Sequence, residues 1–123
     1  MNLFDLSGRV AMVSGTGSGM GRAMATVFAE AGADLVLLDL HTQHNEETAH
    51  ALSTMGRRAI PITCDVSNIE QLDHAYAHLD KTYGRIDVLG NVAGNGIQRA
   101  AEDVSMDEFI GVFQNLVFGR FYS

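Results

Sequence analysis

The tightest constraint on this chain is the stretch Val10–Gly21, which reads Val-Ala-Met-Val-Ser-Gly-Thr-Gly-Ser-Gly-Met-Gly. The apolar run Val10–Val13 stops abruptly in glycines at 15, 17, 19 and 21, and the helix-compatible segment Arg22–Ala31 follows. Strand, glycine turn and helix start, in that order, make an anion site. Glycines let the backbone approach a phosphate closely, and the first helical turn presents unpaired N–H groups with partial positive charge. Leu35-Val-Leu-Leu-Asp39 then places an acid about twenty residues on, at a strand end where a carboxylate accepts hydrogen bonds from ribose hydroxyls. Gly15, Gly17, Ser18, Gly19, Met20 and Gly21 are therefore expected to hold the phosphates of a dinucleotide, and Asp39 its adenosine ribose.

The rest of the chain alternates strand and helix. Arg9–Ser14 reads as the first strand, and Gly32 stops a helix whose expected inner face is Ala23, Met24, Val27, Phe28 and Ala31. Leu35–Asp39 is nearly all apolar, as a strand covered on both faces should be. Thr42–Met55 reads as a second helix and Ala59–Thr63 as a third strand. Pro61 puts that strand at a sheet edge, because proline cannot donate to a ladder. Ser67-Asn-Ile-Glu70 has the form of a capping box, opening a helix with Ile69, Leu72, Tyr76, Leu79 and Tyr83 on one stripe. Ile86–Val92 is the fourth strand. Ser105-Met-Asp-Glu108 opens a last helix that runs to Ser123 and carries Phe109, Ile110, Phe113, Leu116 and Val117. This rhythm predicts a single α/β domain over residues 1–123, a doubly wound parallel sheet of strand order 3-2-1-4.

Composition excludes several functions. A net charge of −7, with Arg57-Arg58 the only adjacent basic pair, argues against a nucleic-acid surface. No apolar run is long enough to cross a bilayer, and Met-Asn-Leu-Phe-Asp lacks the basic start and apolar core of a signal peptide. Cys64 is the single cysteine, so it forms no internal disulfide and reads as a small buried hydrophobe. A cytoplasmic setting is expected. His74 and His78 stand four apart, but two imidazoles are too few for a metal site and read as a solvated face.

The glycine spacing, Ser14-Gly15-x-x-x-Gly19-x-Gly21, resembles the Thr-Gly-x-x-x-Gly-x-Gly pattern of the short-chain dehydrogenase/reductase family, with Ser14 keeping the hydroxyl. Three further stretches extend the resemblance. Asp65-Val66 is similar to the family's Asp-Val pair, whose acid hydrogen-bonds adenine; the residues alone equally allow Asp65 to cap the following helix. Asn91-Val92-Ala93-Gly94 resembles Asn-Asn-Ala-Gly, matching at Asn91, Ala93 and Gly94, while Gly90 stands where a branched apolar residue is usual. Asn115-Leu-Val-Phe-Gly119 resembles the helical Asn-Leu-x-Gly segment with its glycine one residue late, which implies that Asn115 is the catalytic asparagine that holds a water. Members that use NADP resemble one another in carrying Arg or Lys before the second motif glycine or after the ribose acid. Those positions are Ser18 and Leu40 here, so NAD is expected over NADP.

The resemblance implies a Rossmann-like fold and hydride transfer between NAD(H) and a small carbonyl or alcohol substrate. It spans essentially the whole chain, yet matches only the first half of a typical member. The family's catalytic Ser and Tyr-x-x-x-Lys pair are missing: Lys81 is the single lysine, and no tyrosine precedes it by four. The expectation is a truncated NAD-binding portion of an oxidoreductase, with turnover by the chain itself left open. A catalytically inactive nucleotide-binding or interaction module is the alternative, and a methyltransferase is disfavoured by the Asn-Val-Ala-Gly stretch. An uncovered fourth strand and a surplus of apolar residues on the last helix predict self-association, as a homo-oligomer or as aggregates.

Overall fold

The computed structural model describes residues 2–95 and 98–123. Four parallel strands, β1 (Val10–Ser14), β2 (Asp34–Asp39), β3 (Ala59–Thr63) and β4 (Val88–Asn91), form one sheet in the order β3-β2-β1-β4. Helices α1 (Gly19–Glu30), α2 (Thr42–Ser53) and α3 (Ile69–Thr82) connect them. Beyond β4 come a 3-10 turn at Ala101–Asp103, α4 (Met106–Phe113), a π-helical turn at Gln114–Gly119 and a closing α-turn at Arg120–Tyr122. The expected strand order is the observed one.

Side-chain alternation along the strands builds two cores. Ala11, Val13, Leu35 and Leu37 face one side, against Ala25 and Ala29 of α1 and Ala49 and Leu52 of α2. Met12, Val36 and Leu38 face the other, against Leu72, Ala75 and Leu79 of α3. Burial of each such leucine stabilises the fold by roughly 1.5–3 kcal/mol. The order of strand addition reverses at β1, since β2 and β3 lie on one side of it and β4 on the other. A crevice therefore opens beyond the carboxyl ends of β1 and β4, the place where ligands bind in sheets of this kind.

Several local expectations are corrected. On α1 the buried residues are Gly21, Ala25 and Ala29, with Met24 and Phe28 partly buried beside them. Ala23 is exposed and Val27 is 59% exposed, because the inner face follows the small i, i+4 series that lets the helix lie close to the sheet. The cap of α3 is Asn68, whose side chain accepts from Gln71 N at 3.2 Å. Ser67 turns back instead, and its N–H and hydroxyl both donate to Asp65 Oδ1, at 2.9 and 2.5 Å. Strand β4 begins at Val88 rather than Ile86 and stops at Asn91, leaving Val92 outside it. The capping box at Ser105 and Glu108 is present in both directions, but the helix it opens leaves the α-form at Gln114.

Gly90 has a packing reason. A Cβ there would stand 2.6 Å from the Met24 sulfur, so the methionine of α1 occupies the space that a branched residue on β4 would fill. Pro61 lies in the edge strand β3 opposite Leu37, as its missing N–H requires.

The amino ends of β1 and β4 are tied by one carboxylate. Asp87 accepts from Val10 N at 2.9 Å and from Arg85 Nε and Nη2 at 2.9 and 2.6 Å, with Arg9 at 3.4 Å. These donors, Arg85 foremost and the Val10 amide next, hold its pKa down to about 2. A carboxylate whose folded pKa is depressed stabilises the fold above its unfolded pKa of about 4, and that contribution disappears as pH falls through the folded value. Urea midpoints measured across acid pH should therefore decline between pH about 4 and about 2, and Asp87→Asn should flatten that part of the decline. An unchanged profile in the variant would assign the acid sensitivity to other groups.

Candidate cofactor site

A cleft of about 500 Å³ lies over the carboxyl ends of β1, β2 and β4. Among the sequence-derived candidates, Gly15, Ser18, Gly19, Met20, Gly21, Asp39, Leu40, Asp65, Val66, Ala93, Gly94 and Asn115 line it. Ser14, Gly17 and Asn91 are not among the lining residues.

The glycine loop is shaped by close backbone approaches. Gly15 has φ +78°, and a Cβ there would come within 3.0 Å of Ala93 N. Its own N–H donates to Leu38 O at 2.7 Å. A Cβ on Gly21 would run into the Gly15 carbonyl, so α1 starts directly against the loop. Gly19, at φ +55°, has nothing within 4 Å of where its Cβ would stand. The loop is therefore packed at Gly15 and Gly21 and open at Gly19, where α1 begins and its free N–H groups lie. That is the shape a diphosphate needs.

Asp39 is aimed by two backbone donors. Gly17 N donates to its Oδ2 at 2.8 Å and His41 N to its Oδ1 at 2.7 Å. A Cβ on Gly17 would sit 2.9 Å from this carboxyl group, so the glycine is what lets the acid reach the loop. Each carboxylate oxygen can accept more than one bond, so both remain available to ribose hydroxyls.

Ser14 works behind the loop. Its Oγ accepts from Val92 N at 3.2 Å and Ala93 N at 3.1 Å, fastening the Asn91–Gly94 segment to the end of β1. Asn91 Nδ2 donates to Arg120 O at 3.3 Å. Arg120 in turn lays its guanidinium on the carbonyls of Val92 and Ala93, each contact at 3.4 Å. Asn115 is half-buried at the cleft, and its amide is engaged at both ends. Its Oδ1 accepts from Asn95 N at 3.0 Å and its Nδ2 donates to Gly111 O at 3.0 Å.

The π-helical turn explains the late glycine. It accommodates the extra residue between Asn115 and Gly119 and still buries Gly119, where a Cβ would collide with the Val66 carbonyl. Gln114 Nε2 meanwhile donates to Ser67 O at 2.9 Å, binding the turn to the Asp65–Ser67 wall of the cleft.

Some residues of this region escape a reading by motif. His41, Cys64, Ser67, Val92 and Asn95 also line the cleft. The Cys64 thiol is pushed up to about 11, by burial first and the Asp65 charge second, so it stays protonated. Behind the glycine loop lies a buried polar relay. The Thr16 hydroxyl donates to Asn45 Oδ1 at 2.5 Å, Asn45 Nδ2 donates to Leu37 O at 2.9 Å, and the Thr48 hydroxyl donates to Thr16 O at 2.8 Å. Arg22 Nε closes it onto Thr48 Oγ1 at 2.7 Å. The signal for it in the sequence is Asn45 and Thr48, polar residues three apart on the inner face of α2.

The comparisons with known proteins agree with this geometry. The short chain dehydrogenase family model matches residues 9–123. The NAD-dependent glycerol dehydrogenase of Listeria innocua is 35% identical over 101 residues, which are 82% of this chain and 39% of that protein. The crystal structure of a short-chain type dehydrogenase/reductase from Mycobacterium marinum superposes with a TM-score of 0.92 at 32% identity, covering 98% of this chain and 49% of the other. L-sorbose reductase of Gluconobacter frateurii, solved with NADPH and L-sorbose, has a TM-score of 0.92 at 28% identity, covering 97% and 46%. The chain belongs to the short chain dehydrogenase family. It spans about half the length of the relatives it matches.

Ser14→Ala leaves two N–H groups of the Asn91–Gly94 segment without their acceptor. Its expected cost is about 1–3 kcal/mol in unfolding free energy, read as a lower urea midpoint at unchanged slope. Ser14→Thr, which keeps the hydroxyl, should recover most of that loss.

Proposed function

We propose that this chain is the nicotinamide-cofactor-binding portion of an oxidoreductase that passes hydride between NAD(H) and a carbonyl or alcohol carbon. The observation that carries the reading is the convergence of Gly15, Ser18–Gly21, Asp39 and Ala93–Gly94 on one cleft at the carboxyl end of the sheet. In it the α1 start takes the pyrophosphate, Asp39 takes the adenosine ribose, and Asp65 and Val66 border the adenine. Asn91–Gly94, held by Ser14, forms the floor, and Asn115 at the cleft edge holds a water for proton transfer. The nicotinamide supplies the hydride acceptor. These residues supply binding and orientation. Family membership favours this over a binding-only module.

NAD is the preferred form. A 2′-phosphate on the ribose would face the Asp39 carboxylate, a repulsion on the order of a few kcal/mol at ~4 Å and an effective dielectric of ~20. Neither Ser18 nor Leu40 offers a compensating charge. Calorimetric titration of the chain should give tighter binding for NAD than for NADP, and Asp39→Ala with Leu40→Arg should shift the preference toward NADP. Equal affinities in the unmodified chain would defeat the assignment. The same preparation should show no reduction of NAD with any alcohol. It has no Tyr-x-x-x-Lys, and acid–base catalysis alone contributes on the order of 10²–10⁴ in rate. NADH formation abolished by Asn115→Ala would contradict this.

The surface points to self-association. Among the described residues β4 pairs with β1 alone, and Leu89 on it is 41% exposed. Phe109, Ile110, Phe113, Val117, Phe118 and Phe121 are all exposed beyond it. An open strand edge beside such an apolar patch favours association between copies. Sedimentation at low micromolar concentration should find dimers or larger species; a sharp monomer that binds no apolar dye would refute the expectation.

A further inference from the structure

On its inner face α2 sets two polar side chains, Asn45 and Thr48, one turn before the apolar Ala49 and Leu52. Each of the two is 1% exposed. Such a pair gains little stability over apolar residues of the same shape, because each buried bond only replaces one to water. What a fully bonded buried network does fix is geometry. This one is fully bonded: among the described residues the Tyr83 hydroxyl is the buried side-chain atom left without a partner. The bonds of Asn45 converge on the surroundings of Asp39. Its Oδ1 accepts from the Thr16 hydroxyl at 2.5 Å, and its Nδ2 donates to Leu37 O of β2 at 2.9 Å. Thr16 is thereby fastened to the sheet one residue before Gly17, whose N–H donates to Asp39 Oδ2. The Asn45 backbone N–H donates to His41 O at 3.1 Å, and the His41 N–H is the other donor to the carboxylate. Both donors that aim the acid are thus tied to one residue that does not itself line the cleft.

We propose that Asn45 is a positioning residue for the dinucleotide, holding through Thr16 and Gly17 the orientation in which Asp39 meets the adenosine ribose. The inference rests on the cofactor reading of the cleft. The backbone bond to His41 O survives substitution at position 45, whereas the side-chain bonds do not. Without the amide, the Thr16 hydroxyl keeps only its longer contact to Leu38 O, at 3.3 Å. The Gly17 peptide is then free to turn, and one of the two donors to Asp39 loses its fixed direction. Ordering the carboxylate falls to the arriving ligand, which weakens its binding. The loss of one such restraint is worth about tenfold in affinity.

The test is a double-mutant cycle on NAD affinity, measured by calorimetric titration of the full chain: unmodified, Asn45→Leu, Asp39→Ala and the two together. Asn45→Leu should weaken NAD about tenfold when Asp39 is present and less than about twofold when it is absent. A side chain that merely supports the fold would cost the same factor in both backgrounds, and that result overturns the proposal. Unchanged affinity in Asn45→Leu overturns it as well. Thr16→Val, which keeps the shape and removes the hydroxyl, should reproduce the loss and add nothing to Asn45→Leu, while Thr16→Ser should recover most of the affinity. If Asn45→Leu does not fold, Thr16→Val takes its place in the cycle with the same two readings. If the unmodified chain binds no NAD, the cofactor reading itself fails and takes this inference with it. Tight binding of NAD with additive losses defeats the inference alone.

Discussion

The whole site depends on three close approaches that only glycine permits in the loop after β1. Gly15 rests on Ala93, Gly17 on the Asp39 carboxylate and Gly21 on the Gly15 carbonyl. Each contact has room for a hydrogen atom and none for a methyl group. With side chains at these positions the loop would stand away from β2 and β4, and the cleft would lose its floor and its acid together. The same crowding explains why the loop can be open at Gly19 alone. Everything behind it is filled, so the free N–H groups of α1 face outward.

Much of the architecture was legible because it depends on short-range pattern. Short apolar runs mark β1, β2 and β3, the first cut off by glycine, and Pro61 puts β3 at the edge where it lies. The family resemblance also held, since it rests on spacing that the loop geometry requires. What failed was finer. The inner face of α1 is hard to see in the sequence because its contacts use alanine, whereas hydrophobicity alone points to the larger Val27, which is exposed. Ser67 and Asn68 both offer a capping oxygen, and only the hydrogen bond of Ser67 to Asp65 leaves the cap to Asn68. Asn45 and Thr48 carried no apolar signal on an inner helical face. Their reason is the backbone of the glycine loop and β2, twenty or more residues away for Thr16.

That relay gives the glycine loop a rigidity its composition would not suggest. Glycine loses more conformational freedom on folding than any other residue, so a loop of four glycines needs external restraint to hold one shape. Thr16 provides it from within. It is fully buried, bonded through its hydroxyl to Asn45 and through its carbonyl to Thr48. Arg22 and Thr48 then couple α1 to α2 across the same point. The loop and the two helices beneath it form one unit, and the orientation of Asp39 is set by that unit.

The π-helical turn at Gln114–Gly119 makes the last helix a matter of phase. Each residue of an α-helix turns its neighbours by roughly 100° about the axis, so one added residue redirects every side chain beyond it. Here the widened turn absorbs that rotation within six residues. On its near side Gln114 reaches the Asp65–Ser67 wall, and on its far side Arg120 reaches the Val92 and Ala93 carbonyls. The two walls of the cleft are thereby strapped by opposite ends of one wide turn. An insertion or deletion of a single residue inside it keeps only one strap in register, so the length of this segment is as much a part of the site as any side chain in it.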